Sequence, residues 1–251
     1  MTTKPFLLIS TREDDDAAAD EVRGFLELSG LEPGRLAVVR LGLEPLPDAV
    51  AGDAPGLADY AGIMVGGSPF NSSDPDGLKS ATQRRVEATL SRLLDSVAER
   101  DFPFLGACYG VGTLGTHQGA VVDRTYGEPV GTTEVELTAA GLEDPLTEGL
   151  PRRFTAFVGH KEAVAALPGH AVLLAGSAAC PVQMFRFGSN LYATQFHPEL
   201  DGAGLALRIA IYKDAGYFPP EEAEELTRLA HTAEVPWPGL VLRNFVARYG
   251  G

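Results

Sequence analysis

Asp101-Phe-Pro-Phe-Leu-Gly-Ala-Cys108-Tyr-Gly-Val-Gly112 is the stretch on which the fold turns. Phe102 to Leu105 is a short apolar run, the signature of a strand buried on both faces of a parallel sheet, and it breaks at Gly106 into Cys108, Tyr109 and Gly110. The break puts the cysteine at a strand-to-helix corner, where small neighbours make room and the free N–H groups of the next helical turn point toward its sulfur. Such groups favour a thiolate and an oxyanion.

Working outward, strand and helix alternate. Pro5 to Ser10 reads as a buried strand and Asp14 to Ser29 as a helix, with acidic residues in its first turn, Val22, Phe25 and Leu26 at helical spacing, and Gly30 as its stop. Leu36 to Leu41 is another apolar run, Leu43 to Asp59 a Pro/Gly-rich connection, and Gly62 to Val65 a strand ending in Gly66-Gly67-Ser68-Pro69. Phe70 to Gly77 is an exposed loop, long enough to act as a lid, and Leu78 to Arg100 an amphipathic helix with Val86, Leu90, Leu93, Leu94 and Val97 on one face.

Beyond the cysteine, a small-residue helix runs to about Gly119 and the texture changes. Val121-Val122, Thr132 to Leu137, Phe154 to Val158, Ala171 to Ala175, Val182 to Phe187 and Leu191 to Phe196 are short strands between Gly, Pro and Asn turns. Leu205 to Asp214, Glu221 to His231 and Leu240 to Tyr249 read as helices, punctuated by Pro219-Pro220 and Pro236-Trp-Pro-Gly. The pattern predicts an α/β protein with a doubly wound, mostly parallel sheet, and ligands at the carboxyl ends of strands, where both Gly-rich corners lie. The expected organisation is one domain over residues 1–215 with a helical extension, 216–251, packed on it.

Composition bounds the function. The 251 residues, 45% hydrophobic and 22% charged, suffice for one substantial core. A formal charge of −14 with no basic patch argues against nucleic acid or an anionic membrane as partner. No stretch approaches the roughly 20 apolar residues of a membrane span. The N-terminal apolar run ends at Thr11-Arg-Glu-Asp-Asp-Asp16 without the length or cleavage site of a signal peptide, and the only cysteines are Cys108 and Cys180, so a reducing cytoplasm is the expected compartment.

Three separated segments have the residue types that thiol acyl chemistry needs. Cys108 is the candidate nucleophile, His197 in Thr194-Gln-Phe-His-Pro-Glu199 the base that takes its proton, and Glu199 the carboxylate that orients the imidazole. On an extended segment, His197 and Glu199 project to the same face, and Pro198 blocks helix between them. The expected oxyanion donors are the backbone N–H groups of Tyr109 and of Gly66 or Gly67, where a missing Cβ permits close approach of substrate.

Gly106-Ala-Cys108-Tyr-Gly110, Gly66-Gly-Ser-Pro69 and Gln195-Phe-His197-Pro-Glu199, in this order, resemble the class I (triad) glutamine amidotransferases, above all the glutaminase domain of GMP synthetases. Cys180-Pro-Val182 and Gly131 to Leu137 fit the same pattern, so the resemblance spans roughly Pro5 to Glu199. It implies a flavodoxin-like three-layer sandwich and attack by Cys108 on a γ-glutamyl amide, giving a glutamyl thioester and ammonia, then hydrolysis. Cys108, His197 and Glu199 are the triad by the same match. The family usually has Gln four residues after the nucleophile, gripping substrate, and here stands Gly112. Losing one or two hydrogen bonds weakens recognition by about 1 to 3 kcal/mol, which points to another γ-glutamyl compound. Phe157-Val-Gly-His160-Lys-Glu162 partly resembles the family's substrate-side loop, so His160 or Glu162 is expected to hold the substrate's amino-acid end.

Taken singly, these residues have plainer readings. A lone cysteine is more often a small buried hydrophobe, and Cys180 is read that way. Glu13 to Asp16 is read as helix N-terminal charge rather than a metal site, and the Gly66-Gly67 corner, with no Lys-Ser/Thr after it, is no P-loop. No metal or organic cofactor is implied, since the thioester route needs neither. Three functions stay open. They are a stand-alone γ-glutamyl hydrolase or glutaminase, an ammonia-donating subunit working with a separate synthetase (no acceptor domain follows Glu199), and a non-enzymatic module on the same fold.

Overall fold

Strand β1 (Phe6–Ser10) is wholly buried, and its side chains split between two cores. Leu7 and Ile9 join one apolar cluster and Phe6 and Leu8 the other, as the two-residue period of a strand requires. This is why the strand reads as continuously apolar. The computed structural model describes residues 4–47 and 56–251. The middle of the expected Pro/Gly-rich connection, 48–55, and the first three residues lie outside them.

Five strands run parallel, in the order β2 (Leu36–Arg40), β1, β3 (Ile63–Val65), β4 (Phe104–Ala107), β11 (Leu191–Thr194). Beyond β11 the sheet continues antiparallel through β10 (Met184–Phe187), β9 (Val172–Gly176), β6 (Glu128–Leu137) and β7 (Arg153–His160). The sheet is therefore mixed. The strands that carry the site corners, β3, β4 and β11, are adjacent and parallel, so their carboxyl ends open on one edge. A separate ribbon pairs β5 (Val121–Asp123) with β8 (Ala163–Ala166), the latter being a strand the sequence pattern does not signal.

Helices cover both faces. Helix α1 (Asp15–Ser29) is capped by the Asp14 side chain on Ala17 N (2.9 Å) and ended by Gly30 at φ 75°. The acidic run at its start is thus a helix cap with first-turn charges. Helix α2 (Ala81–Glu99) starts three residues later than its apolar pattern suggests, because Ser80 caps it through Gln83 N (3.0 Å). It buries Val86, Leu90, Leu93, Leu94 and Val97 against the first core, beside α3 (Tyr109–His117). A short helix α4 (Ala139–Glu143), capped by Thr138, has too few residues to show periodicity.

Helices α5 (Gly202–Ile211) and α6 (Ala223–Thr232) form a third cluster with Phe157, Leu200 and Phe218. Helix α7 (Gly239–Tyr249) completes the second core, with Val241, Leu242 and Phe245 fully buried and the Phe245 ring 5.7 Å from Phe6. Among the described residues, no helix is long and apolar enough to cross a membrane.

Candidate active site

The strand β4 ends at Cys108, whose backbone sits at φ 53°, ψ −86°, a conformation that costs a non-glycine residue of order 1–3 kcal/mol. Two features hold it. Cys108 N donates to Thr194 O of the neighbouring β11 (2.7 Å), and Gly106 lets α3 turn in so closely that a Cβ there would lie 2.6 Å from Gly110 Cα. The thiol stands at the N-terminus of α3, partly accessible, with Gln195 Nε2 at 3.9 Å from Sγ. Burial pushes its pKa up to about 12, and the nearby Glu199 charge adds to the rise. The resting group is a neutral thiol.

His197 follows β11, so it reaches the same sheet edge as Cys108, and both line one cavity. Its Nδ1 donates to Glu199 Oε1 at 2.8 Å, which leaves Nε2 without its proton and able to accept one. Arg208, on α5, brings Nη1 to 3.1 Å from the same carboxylate oxygen and 3.3 Å from His197 Nδ1. All three side chains are buried. Burial alone would raise Glu199, but His197 and the fixed charge of Arg208 outweigh it and hold the carboxyl well below its usual range. Burial lowers His197, and Arg208 and Arg12 lower it further, against the pull of Glu199. Helix α1 seats Glu199 from behind. Gly24 packs so tightly that a Cβ would overlap the Glu199 carbonyl oxygen.

The second glycine corner works differently from the expectation. A Cβ on Gly66 would strike the buried carboxylate of Glu21, which accepts from Ser10 Oγ (2.6 Å) and Arg12 Nε (2.8 Å). Gly66 N donates to Ile9 O at 3.1 Å. Gly66 is glycine to accommodate Glu21, and its N–H is engaged in the sheet, so it drops out as an oxyanion donor. Gly67 is the residue wedged into the site, where a Cβ would lie 2.8 Å from Arg12 Nη2 and 3.1 Å from His197 Cε1.

The residues expected at the substrate's amino-acid end are also committed elsewhere. His160 is buried, with Nδ1 facing Glu162 O (2.9 Å) and Nε2 facing Glu128 Oε2 (3.0 Å), so it has no ring nitrogen to spare. Glu162 accepts from Ser72 N and Ser73 N, each at 2.7 Å, and so fastens the loop after Pro69. A Cβ on Gly112 would lie 2.6 Å from Ser72 Oγ and 2.8 Å from Glu162 Oε1. The space that a side chain at 112 would use is filled by this loop. The loop is fastened there by its two N–H bonds to Glu162.

The cover over Cys108 comes from the chain between α5 and α6. Tyr212 OH accepts from Arg12 Nη1 (3.1 Å), Lys161 Nζ donates to Ala215 O (2.6 Å) and stands 4.3 Å above the Tyr217 ring. Tyr212, Tyr217 and Phe218 all line the cavity that holds Cys108 and His197. None of these residues, nor Arg12 and Arg208, is signalled by a motif. The one local hint is that Arg12 follows a buried strand, where a charge needs a partner.

Glu128, His160 and Cys180 are buried, with ligand-type atoms within 4.8 Å of one another. Their polar atoms are already paired. Glu128 Oε2 also accepts from Gln183 Nε2 (2.6 Å), and Cys180 Sγ donates to Val182 O (3.5 Å). Burial tends to raise Glu128, yet the bond and charge of His160 bring it below its usual value. The cluster is a hydrogen-bonded brace between β6, β7 and the segment before β10.

The family model for Glutamine amidotransferase class-I matches residues 40–204, well over half of the chain. One subunit of the glutamine-hydrolyzing GMP synthase of Thermoplasma acidophilum is 30% identical over 140 residues, covering 53% of this chain and 68% of that protein. The glutamine-hydrolyzing GMP synthase of Aeropyrum pernix is 37% identical over 98 residues, 39% of this chain, and the match spans only 19% of its length. The crystal structure of a glutamine amidotransferase from Thermotoga maritima superposes with a TM-score of 0.75 at 20% identity, covering 100% of this chain and 99% of that one. The fold is thus shared along the whole length, and the matched segment carries the cysteine corner and the His-Pro-Glu segment together: this chain belongs to the class-I glutamine amidotransferase family.

Proposed function

We propose that the chain hydrolyses the γ-amide of a γ-glutamyl compound through a thioester on Cys108. The observation that carries this reading is the 2.8 Å bond from His197 Nδ1 to Glu199 Oε1 beside a cysteine held at φ 53° in the same cavity. The carboxylate sets the tautomer, so Nε2 takes the Cys108 proton as sulfur attacks the amide carbon. The oxyanion is received by the N–H groups of Tyr109 and Gly67. His197 then protonates the leaving nitrogen, the C–N bond breaks, and water activated by the same imidazole releases glutamate and restores the thiol. A neutral Cys–His pair suits this sequence, since proton transfer is coupled to attack rather than completed beforehand.

Glu162 keeps a place on the acyl side. Its carboxylate borders the small pocket beside Tyr109 and gives it the negative potential that an α-ammonium group prefers. The test is release of amine and glutamate by the isolated chain from glutamine and a panel of γ-glutamyl amides, with Cys108→Ser as control. Full activity in Cys108→Ser would sink the reading. A second reading, in which the chain donates ammonia to a separate synthetase, is favoured by the likeness to a GMP synthase subunit. It requires glutamine turnover only in the presence of a co-purifying synthetase.

A further inference from the structure

Two spaces meet at Cys108, and they differ in chemistry. The small one is mixed, with the polar groups of Asn71, Glu162 and Gln195 set beside Phe70, Tyr109 and Tyr217. The other has about 60 Å³ of room for the centres of water-sized spheres and is walled by Val130, Val158, Leu205, Ile209 and Phe218. His197 lines only the second. The group that protonates a leaving nitrogen must stand next to it, so the amine side of the substrate belongs in the second space and the glutamyl side in the first.

We infer, resting on the thioester reading above, that the chain is selective for γ-glutamyl amides whose nitrogen bears an apolar substituent, with the cavity under α5 and Phe218 as the leaving-group subsite. Ammonia is about the size of water, and a site just large enough for one water leaves almost no freedom to its centre, so ammonia would leave most of this apolar cavity unfilled. The charged groups in the wall are engaged with their own partners, Arg12 with Glu21 and Tyr212 and Arg208 with Glu199, and the Arg208 nitrogens Nε and Nη2 are sealed from solvent. The γ-glutamylglycine arm below reads whether the Arg12 guanidinium nonetheless draws a carboxylate. The reaction is balanced as γ-glutamyl–NHR plus water giving glutamate and RNH2, with the His197 proton passing to nitrogen as the C–N bond breaks.

The test measures kcat/KM of the full chain for glutamine, γ-glutamyl-ethylamide, γ-glutamyl-n-butylamide and γ-glutamylglycine, whose amine carries a carboxylate. The butylamide should exceed glutamine at least tenfold, with each buried methylene contributing about fourfold, the factor equivalent to ~0.8 kcal/mol. Ile209→Phe and Val130→Phe, each placing a ring in the cavity, should each cut the butylamide-to-glutamine ratio at least tenfold. Cys108-dependent turnover with glutamine or γ-glutamylglycine preferred overturns the inference and leaves the thioester reading standing. If no γ-glutamyl compound is turned over, alone or with a co-purifying synthetase, the thioester reading falls. Saturation-transfer NMR of N-butylacetamide with Cys108→Ala then decides the cavity, where saturation lost in Ile209→Phe supports an apolar ligand site and absence of saturation overturns it.

Discussion

Gly112→Gln installs the side chain that the family usually carries four residues past the corner cysteine, and here it should damage the protein rather than improve it. The first added atom would lie 2.6 Å from Ser72 Oγ, 2.8 Å from Glu162 Oε1 and 3.1 Å from Ser72 Cβ. The hydroxyl can rotate away, but the Ser72 Cβ and the Glu162 carboxylate have to give. Replacing glycine inside α3 gains up to about 1 kcal/mol in helix propensity. Overpacking costs about 1–3 kcal/mol, and strain on the two loop N–H bonds to Glu162 adds about 1.5–3 kcal/mol for each one lost. The net expectation is a loss of about 2 kcal/mol, roughly 4–8 °C in Tm for a chain of this size. Calorimetry on Gly112→Gln, Glu162→Ala and the double variant reads it. If loop and side chain compete for one space, the two costs are less than additive. Unchanged stability in Gly112→Gln, or strict additivity, would refute the reasoning, and faster glutamine turnover would show that the loop yields its place.

Four further outcomes follow from the site. Glu199→Gln should lower kcat by about 10³–10⁴, because an amide no longer holds the Nδ1–H tautomer, while Arg208→Met should move the acid limb of kcat/KM upward as His197 loses a neighbouring cation. In the unmodified chain, burial and the arginines lower His197, so the neutral base persists below the ordinary histidine range near 6.5. Activity should therefore fall only on acidification below that value and hold on the alkaline side toward the thiol's value of about 12; a midpoint above 6.5 contradicts it. Gly24→Ala should cost about 3 kcal/mol in urea unfolding and reduce kcat, because the new methyl pushes on the Glu199 backbone; a stabilised variant, as helix propensity alone predicts, would contradict this.

What the sequence determined by itself is what short-range geometry encodes. A strand buried on both faces is apolar along its length, as Phe6 to Ile9 and Ile63–Val65 are, and a tight strand-to-helix corner must be flanked by small residues, as Cys108 is by Gly106 and Gly110. His197 and Glu199 do meet, as their spacing suggests, but through a turn at Pro198 and Glu199 beyond the end of β11 and not along the extended chain that the pattern implies. The tertiary structure alone decided the rest, since charge pairing and cavity walls join residues far apart in the chain. Arg12 meets Tyr212 across 200 positions, and Arg208 reaches Glu199 from a helix that no motif marks. Gly66 and Gly67 look alike in a motif, but one faces Glu21 and the other His197. Gly112 reads as a missing grip, and only packing reveals that Ser72 and Glu162 occupy its space. The segment 212–218 bears no catalytic signature, yet it walls the cavity, because closure over a site depends on where a chain returns in space and not on its local pattern.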